Sequence, residues 1–150
     1  MIATPQTLED LTLTINQEIH VQAPLEVTFA ALLEQLGPGN ETPDGKSLNM
    51  KIEPWPGGRW YRDLGDGDGL FWANVQAIKR PTLLEFAGPL FASFPLVSNV
   101  QYRLSEVVGG TLIIFRHTAL GFVPEEHKAG MDKGWASMHE RVRRQAEASS

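Results

Sequence analysis

Residues 124–148, PEEHKAGMDKGWASMHERVRRQAEA, read as one helix. About 22 to 25 residues at ~1.5 Å each span ~35 Å. Pro124 suits the first helical position, and Glu125 and Glu126 put negative charge at the positive end of the helix dipole. Arg141, Arg143 and Arg144 load the other end with the opposite sign. Met131, Trp135, Met138 and Val142 recur at i, i+4, i+7 and i+11 and form one apolar stripe. Gly130 and Gly134 lie beside that stripe. Each costs about 1 kcal/mol against alanine in a helix interior, so a close approach of some neighbour to the backbone is expected there. The strand-rich remainder of the chain ends just before this helix, and a sheet wrapped around it is the expected arrangement.

The 150 residues fit one domain, spanning 1–150. A chain of this size buries ~70% of its unfolded surface, so a core forms without covalent staples. There are no cysteines, which excludes disulfides, thiolate metal sites and cysteine nucleophiles. No apolar run approaches the ~20 residues of a membrane span. The opening MIATPQTLED lacks a basic region followed by an apolar one, so no signal peptide is expected and a cytoplasmic location follows by default. Net charge is −5 and the one basic cluster is the arginine run of the last helix, which argues against nucleic acid as a partner. That run reads most simply as a solvated helix end.

Working outward to the N-terminus, residues 1–10 show no period and are expected to be a loose arm. From Thr12 to Val21, Leu13, Ile15, Ile19 and Val21 share one face with Gln17, while polar residues take the other. Ala23-Pro24 then opens a helix with a stripe of Leu25, Phe29, Leu32, Leu33 and Leu36, and Gly37-Pro38-Gly39 stops it. After a loop over residues 37–47, short strands follow with hairpin punctuation: 48–53, 59–64, 70–79, 83–87, one centred on Val100, Tyr102 and Leu104, and 111–119. The Gly65–Gly69 run resembles a calcium loop only superficially and reads as a hairpin tip. Residues 88–97, GPLFASFPLV, form an unusually apolar loop. In the last strand Arg116 sets the parity, so Ile113, Phe115 and His117 face inward and Leu112 and Ile114 outward. An outward Leu/Ile pair is the kind of surface on which two copies of the chain would dimerise. One strand, one helix, six antiparallel strands and a long helix make an α+β class.

The order of these elements, with Val21-Gln22-Ala23-Pro24-Leu25-Glu26-Val27-Thr28-Phe29, Pro56-Gly57-Gly58-Arg59-Trp60, Leu83-Leu84-Glu85-Phe86, Gly110-Thr111 and Gly134-Trp135, resembles the START-like, helix-grip superfamily (SRPBCC, or birch-pollen-allergen-like). Within it the chain is most similar to the branch named for the activator of the 90-kDa heat-shock protein's ATPase. The resemblance runs from about Leu13 to Arg144. It implies a curved antiparallel sheet of six to seven strands wrapped around the long C-terminal helix, with a cavity between them. The helix after Trp135 is less apolar than the Leu-rich ending usual in the family.

The cavity wall implied by the resemblance consists of Gln17, Trp60, Arg62, Trp72 (or Phe71 in its place), Phe86, Tyr102, Phe115, His117, Trp135 and Met138. Phe91 and Phe94 of the apolar loop would form its lid. An empty, dry void of ~300 Å³ would cost ~7 kcal/mol at ~24 cal/mol per Å³, comparable with a domain's whole stability. A large cavity must therefore be wet, occupied or collapsed. An apolar pocket with a few inward polar groups suits a small hydrophobic or amphipathic molecule. The alternatives carried by the resemblance are a polyketide cyclase- or isomerase-type enzyme, with His117 and Arg62 in the site, and a protein that contacts a chaperone. The residues themselves show no paired inward carboxylates and no nucleophile–base pair. His20, His117, His127 and His139 have no ligand spacing, so no metal, cofactor or catalytic set is assigned.

Overall fold

The apolar–polar alternation of Thr12–Val21 produces β1, which pairs with the last strand rather than the next one. In the computed structural model, which describes residues 7–150, the remaining elements are α1 (Leu25–Leu36), β2 (Met50–Ile52), β3 (Arg59–Gly65), β4 (Asp68–Lys79), β5 (Leu83–Gly88), β6 (Leu96–Val107), β7 (Gly110–Gly121) and α2 (Glu125–Ser149). Of the arm expected over residues 1–10, residues 1–6 lie outside the described residues, and Glu9–Leu11 forms a single 3-10 turn leading into β1. The strands make one antiparallel sheet in the order β1-β7-β6-β5-β4-β3-β2. Its inner face is covered by α2, and α1 lies beside α2, joined to it by a 2.7 Å bond from Gln35 Nε2 to Gln145 Oε1. This is the helix-grip α+β architecture.

The stripe on α2 is buried as its spacing requires: Met131, Trp135, Met138 and Val142 face the sheet, joined by His139 and Ala146. The β7 parity is also as expected, with Ile113, Phe115 and His117 buried, Leu112 half-buried and Ile114 exposed on the outer face. The β3–β4 turn is a two-residue hairpin in which Asp66 and Gly67 both take positive φ.

Two short strings in the sequence have clear mechanical roles. At Gly58 a Cβ would stand 1.9 Å from the Glu53 carbonyl oxygen, so only glycine lets the β2–β3 turn close. Arg59 then donates from Nε and Nη2 to the two Glu53 carboxylate oxygens at 2.8 and 2.9 Å. Gly110 opens β7 at φ +151°, and a Cβ there would meet the Val21 carbonyl oxygen at 2.0 Å. Thr111, next in line, donates its hydroxyl to the Ala23 carbonyl at 2.9 Å and so locks the corner where β1 turns into α1. Gly110→Ala is expected to lower the free energy of unfolding by about 2–3 kcal/mol through strain and a backbone clash. Gly109 also has positive φ but nothing within 4 Å of a Cβ, so Gly109→Ala is expected to cost less. Urea denaturation of the pair measures the difference.

Candidate functional site

Three regularities of the fold leave a cleft on the inner side of the sheet. The β3–β4 pairing shifts register between Trp60 and Tyr61, jumping from Ala73 to Phe71 and leaving Trp72 as the extra residue. Ala73 is fully buried, so simple alternation would send Trp72 outward. The bulge instead lets Trp72 lie against Trp60, edge-on at 5.0 Å, while Phe71 remains 46% exposed on the outside. The apolar 89–95 segment folds back so that Phe91 meets Trp72 at 5.5 Å and Trp135 at 6.2 Å. Gly130 and Gly134 turn toward the space that remains. Apart from the adjoining residues and backbone of its own helix, no atom lies within 4 Å of a Cβ built on either one. The expected close approach to the helix backbone is therefore absent, and the correction is physical: these glycines leave room for a cleft, not for a neighbouring element.

The cleft has a volume of about 400 Å³, within the ~300–1,000 Å³ range of ligand sites. Its apolar surface comes from Trp60, Trp72, Phe91, Met131, Trp135 and Met138. Its rim includes Asn40, Glu41 and Thr42 from the segment after α1, and Glu126, His127, Ser137 and Arg141 from α2. The lining positions on α2 run from Glu126 to Arg141, a rise of ~22 Å at 1.5 Å per residue.

Of the residues expected around a cavity, Trp60, Trp72, Phe91, Trp135 and Met138 meet at this cleft. The others do not line it. Phe86 is fully buried and stacks on Trp60 at 4.6 Å, and Phe115 is fully buried between Tyr102 and Trp135. Phe94 lies apart, against His127 at 5.2 Å and beside Phe122 and Leu11. Arg62 follows the inward parity of Trp60, opposite Met50, and its Nε is buried with no hydrogen-bond partner among the described residues. The deep interior between sheet and helix is thus packed with rings, and the open space lies to one side.

The inward polar groups satisfy each other within that packing. Gln17 Nε2 donates to the backbone oxygen and Oδ1 of Asp132, both at 3.0 Å. Its Oε1 therefore faces His139, and an amide oxygen only accepts, so His139 Nδ1 carries the proton at 2.7 Å. His139 Nε2 then accepts from the Tyr102 hydroxyl at 2.8 Å. A second pair obeys the same logic. Trp135 Nε1 only donates, so His117 Nδ1 accepts from it at 3.0 Å and Nε2 carries the proton toward Ser98 Oγ at 2.9 Å. Burial disfavours the imidazolium in both, pushing His117 down to about 4 and His139 down to about 3. Burial likewise pushes the Tyr102 phenol well above its ordinary value. Two neutral histidines therefore brace α2 against β1, β6 and β7, His117 at the N–H edge of the Trp135 ring and His139 stacked against it.

Sequence reasoning missed Gly130, Gly134, His127, Arg141 and the 40–43 segment as parts of the cleft. A signal was present for the glycines: two of them, four apart on one helix face, with no turn to explain them. Among the described residues no group of three or more His, Asp or Glu side chains converges as a metal site, and no helix is long and apolar enough to cross a membrane.

Comparison with known proteins agrees with this architecture. Solved structures similar to it include a Mesorhizobium loti protein with a TM-score of 0.67 and 23% identity, the match covering 91% of this chain and 98% of that one. A Rhizobium leguminosarum protein has a TM-score of 0.70 and 16% identity, with 91% and 95% covered. CalU16 from Micromonospora echinospora has a TM-score of 0.57 and 20% identity, with 88% and 71% covered. At these identities the likeness is one of fold. A search of curated proteins gives no match. The family described as Activator of Hsp90 ATPase homolog 1-like protein matches residues 22–146, from the end of β1 almost to the end of α2. The match takes in α1, strands β2 to β7 and nearly all of α2, and the chain belongs to that family, a branch of the helix-grip superfamily.

Proposed function

We propose that the protein is a binding module for a small hydrophobic or amphipathic molecule, held in the cleft beside α2. The observation that carries this reading is a cleft of about 400 Å³ lined by two open glycines and four aromatic rings. Each glycine costs about 1 kcal/mol of helix stability against alanine. No packing contact accounts for that cost, and room for a ligand does. The cyclase- or isomerase-type reading needs a proton-transfer group in contact with the ligand. His117 and His139 sit behind the Trp135 ring with both nitrogens engaged, which favours binding over turnover.

Native mass spectrometry of the freshly purified protein, followed by denaturing release, is the test. A stoichiometric adduct with an apolar body is the expected result. Gly134→Ala is expected to raise the free energy of unfolding by about 0.5–1 kcal/mol. Gly134→Leu should keep the protein folded, fill the cleft and abolish the adduct. A bare mass, with no thermal stabilisation by any member of a broad lipid and polyketide library, would overturn the reading.

A further inference from the structure

The three arginines near the end of α2 are not equivalent. Arg143 lies between Glu140 and Glu147, with Nη1 3.0 Å from Glu147 Oε1 and Nη2 bonded to Glu140. Arg144 Nε lies 3.3 Å from Glu140 Oε1. Arg141 points the other way, onto the cleft lining, and has no ion-pair partner among the described residues. Its polar contacts are to neutral oxygens: Nε to Gln35 Oε1 and Nη1 to Ser137 Oγ, each at 3.4 Å. Gln35 is itself held by its amide nitrogen on Gln145 Oε1 at 2.7 Å, so its oxygen stays turned toward the guanidinium. The result is a half-buried cation oriented by long, weak bonds that leave its charge uncompensated.

We infer that Arg141 is the recognition residue for the carboxylate of an amphipathic monocarboxylic acid whose apolar body lies along the aromatic cleft. This rests on the binding role proposed above and names its ligand class. Arg141 is the one side chain on the cleft lining with a permanent positive charge. Its planar fork matches a carboxylate with two parallel hydrogen bonds. Trp60, Trp135 and Met138 continue the lining from it as an apolar surface. The remaining charges restrict the head group. Glu41 and Glu126 also lie on the rim and neither pairs with Arg141. A dianionic head such as a phosphate would bring a second negative charge, with no second lining cation, into a site that already holds two carboxylates. A single carboxylate is matched by the single arginine. Glu126 lies ~22 Å along the helix from it, at 1.5 Å per residue. The volume of about 400 Å³ holds roughly a dozen groups at ~30 Å³ each.

Dodecanoate, dodecan-1-ol and dodecylamine provide one body with three head groups. Each is titrated into the full chain and followed by tryptophan fluorescence, since Trp60, Trp72 and Trp135 line the cleft, and by calorimetry. Dodecanoate is expected to bind at least tenfold more tightly than the alcohol. In Arg141→Gln that preference should fall to within threefold, with Arg141→Lys intermediate because it keeps the charge without the fork. An unchanged unfolding midpoint in Arg141→Gln separates recognition from folding. Equal affinity for acid and alcohol, a preference for the amine, or an acid preference that survives Arg141→Gln would each overturn the inference. In those cases loss of all binding in Gly134→Leu would leave the binding role standing. If none of the three ligands binds, the inference also falls, and the binding role is then decided by the native mass measurement alone.

Discussion

Trp60→Ala is expected to lower the free energy of unfolding by about 3–5 kcal/mol, the usual range for removing a large buried ring. The ring is fully buried and touches both Phe86 and Trp72, so its loss leaves a cavity that the curved sheet cannot close. Its indole nitrogen donates to the Leu36 carbonyl at 2.7 Å, in the last turn of α1. Carbonyls in a last helical turn have no partner within the helix. The substitution therefore removes packing and leaves the Leu36 carbonyl with only a long 3.5 Å bond from Asn40 Nδ2. Trp60→Phe keeps most of the ring and loses the bond, so it should cost less. Urea denaturation of the three proteins at pH 7 measures both contributions. A loss below about 1.5 kcal/mol for Trp60→Ala would mean that the β3 corner repacks freely.

Acidification is expected to remove about 4 kcal/mol of stability between pH 7 and pH 5. Free histidine titrates near 6.5, whereas burial holds His117 down to about 4 and His139 down to about 3. Between those values the unfolded chain binds more protons than the folded one, so stability falls as pH falls. The contribution is fully present above about pH 7 and is exhausted once the pH drops below the folded values. Each histidine loses about 2 kcal/mol by pH 5 through this linkage. Carboxylates held below their ordinary range, such as Glu53 at about 2 beside Arg59, lose their stabilising pairs only at lower pH. Urea midpoints at pH 7, 6 and 5 test the prediction. A pH-independent midpoint would mean that protonated histidine is accommodated in the native core. A variant without one of the two histidines should show about half the dependence.

Much of the fold was legible because it rests on local periodicities. The 3.6-residue repeat of Met131, Trp135, Met138 and Val142 identified the buried face of α2, and the two-residue alternation in β1 and β7 identified the inner face of the sheet. These patterns report only which side of an element is dry. The cleft depends on information that no single element carries. Trp72 reaches it because the pairing partner of Trp60 is displaced by one residue, and a bulge has no period of its own. Tyr102, Phe115 and His117 were read correctly as inward, yet an inward ring can fill a core as readily as it lines a pocket. Here α2 comes close enough for His139 and Trp135 to take their polar atoms.

The sequence by itself determined the class of fold, the grip of the sheet on the last helix, and the tight corners at Gly58 and Gly110, where a side chain would strike a backbone carbonyl. The tertiary structure alone decided which inward residues became core and which line the cleft. It did so by distance. Where sheet and helix approach, the polar residues Gln17, His139 and Tyr102 bond to one another. Where Gly130 and Gly134 leave room, a cleft lined by Trp60, Trp72, Phe91 and Trp135 stays open, with Arg141 on its lining. Local propensity fixes the direction of a side chain, and the separation between elements far apart in the chain fixes what that side chain meets.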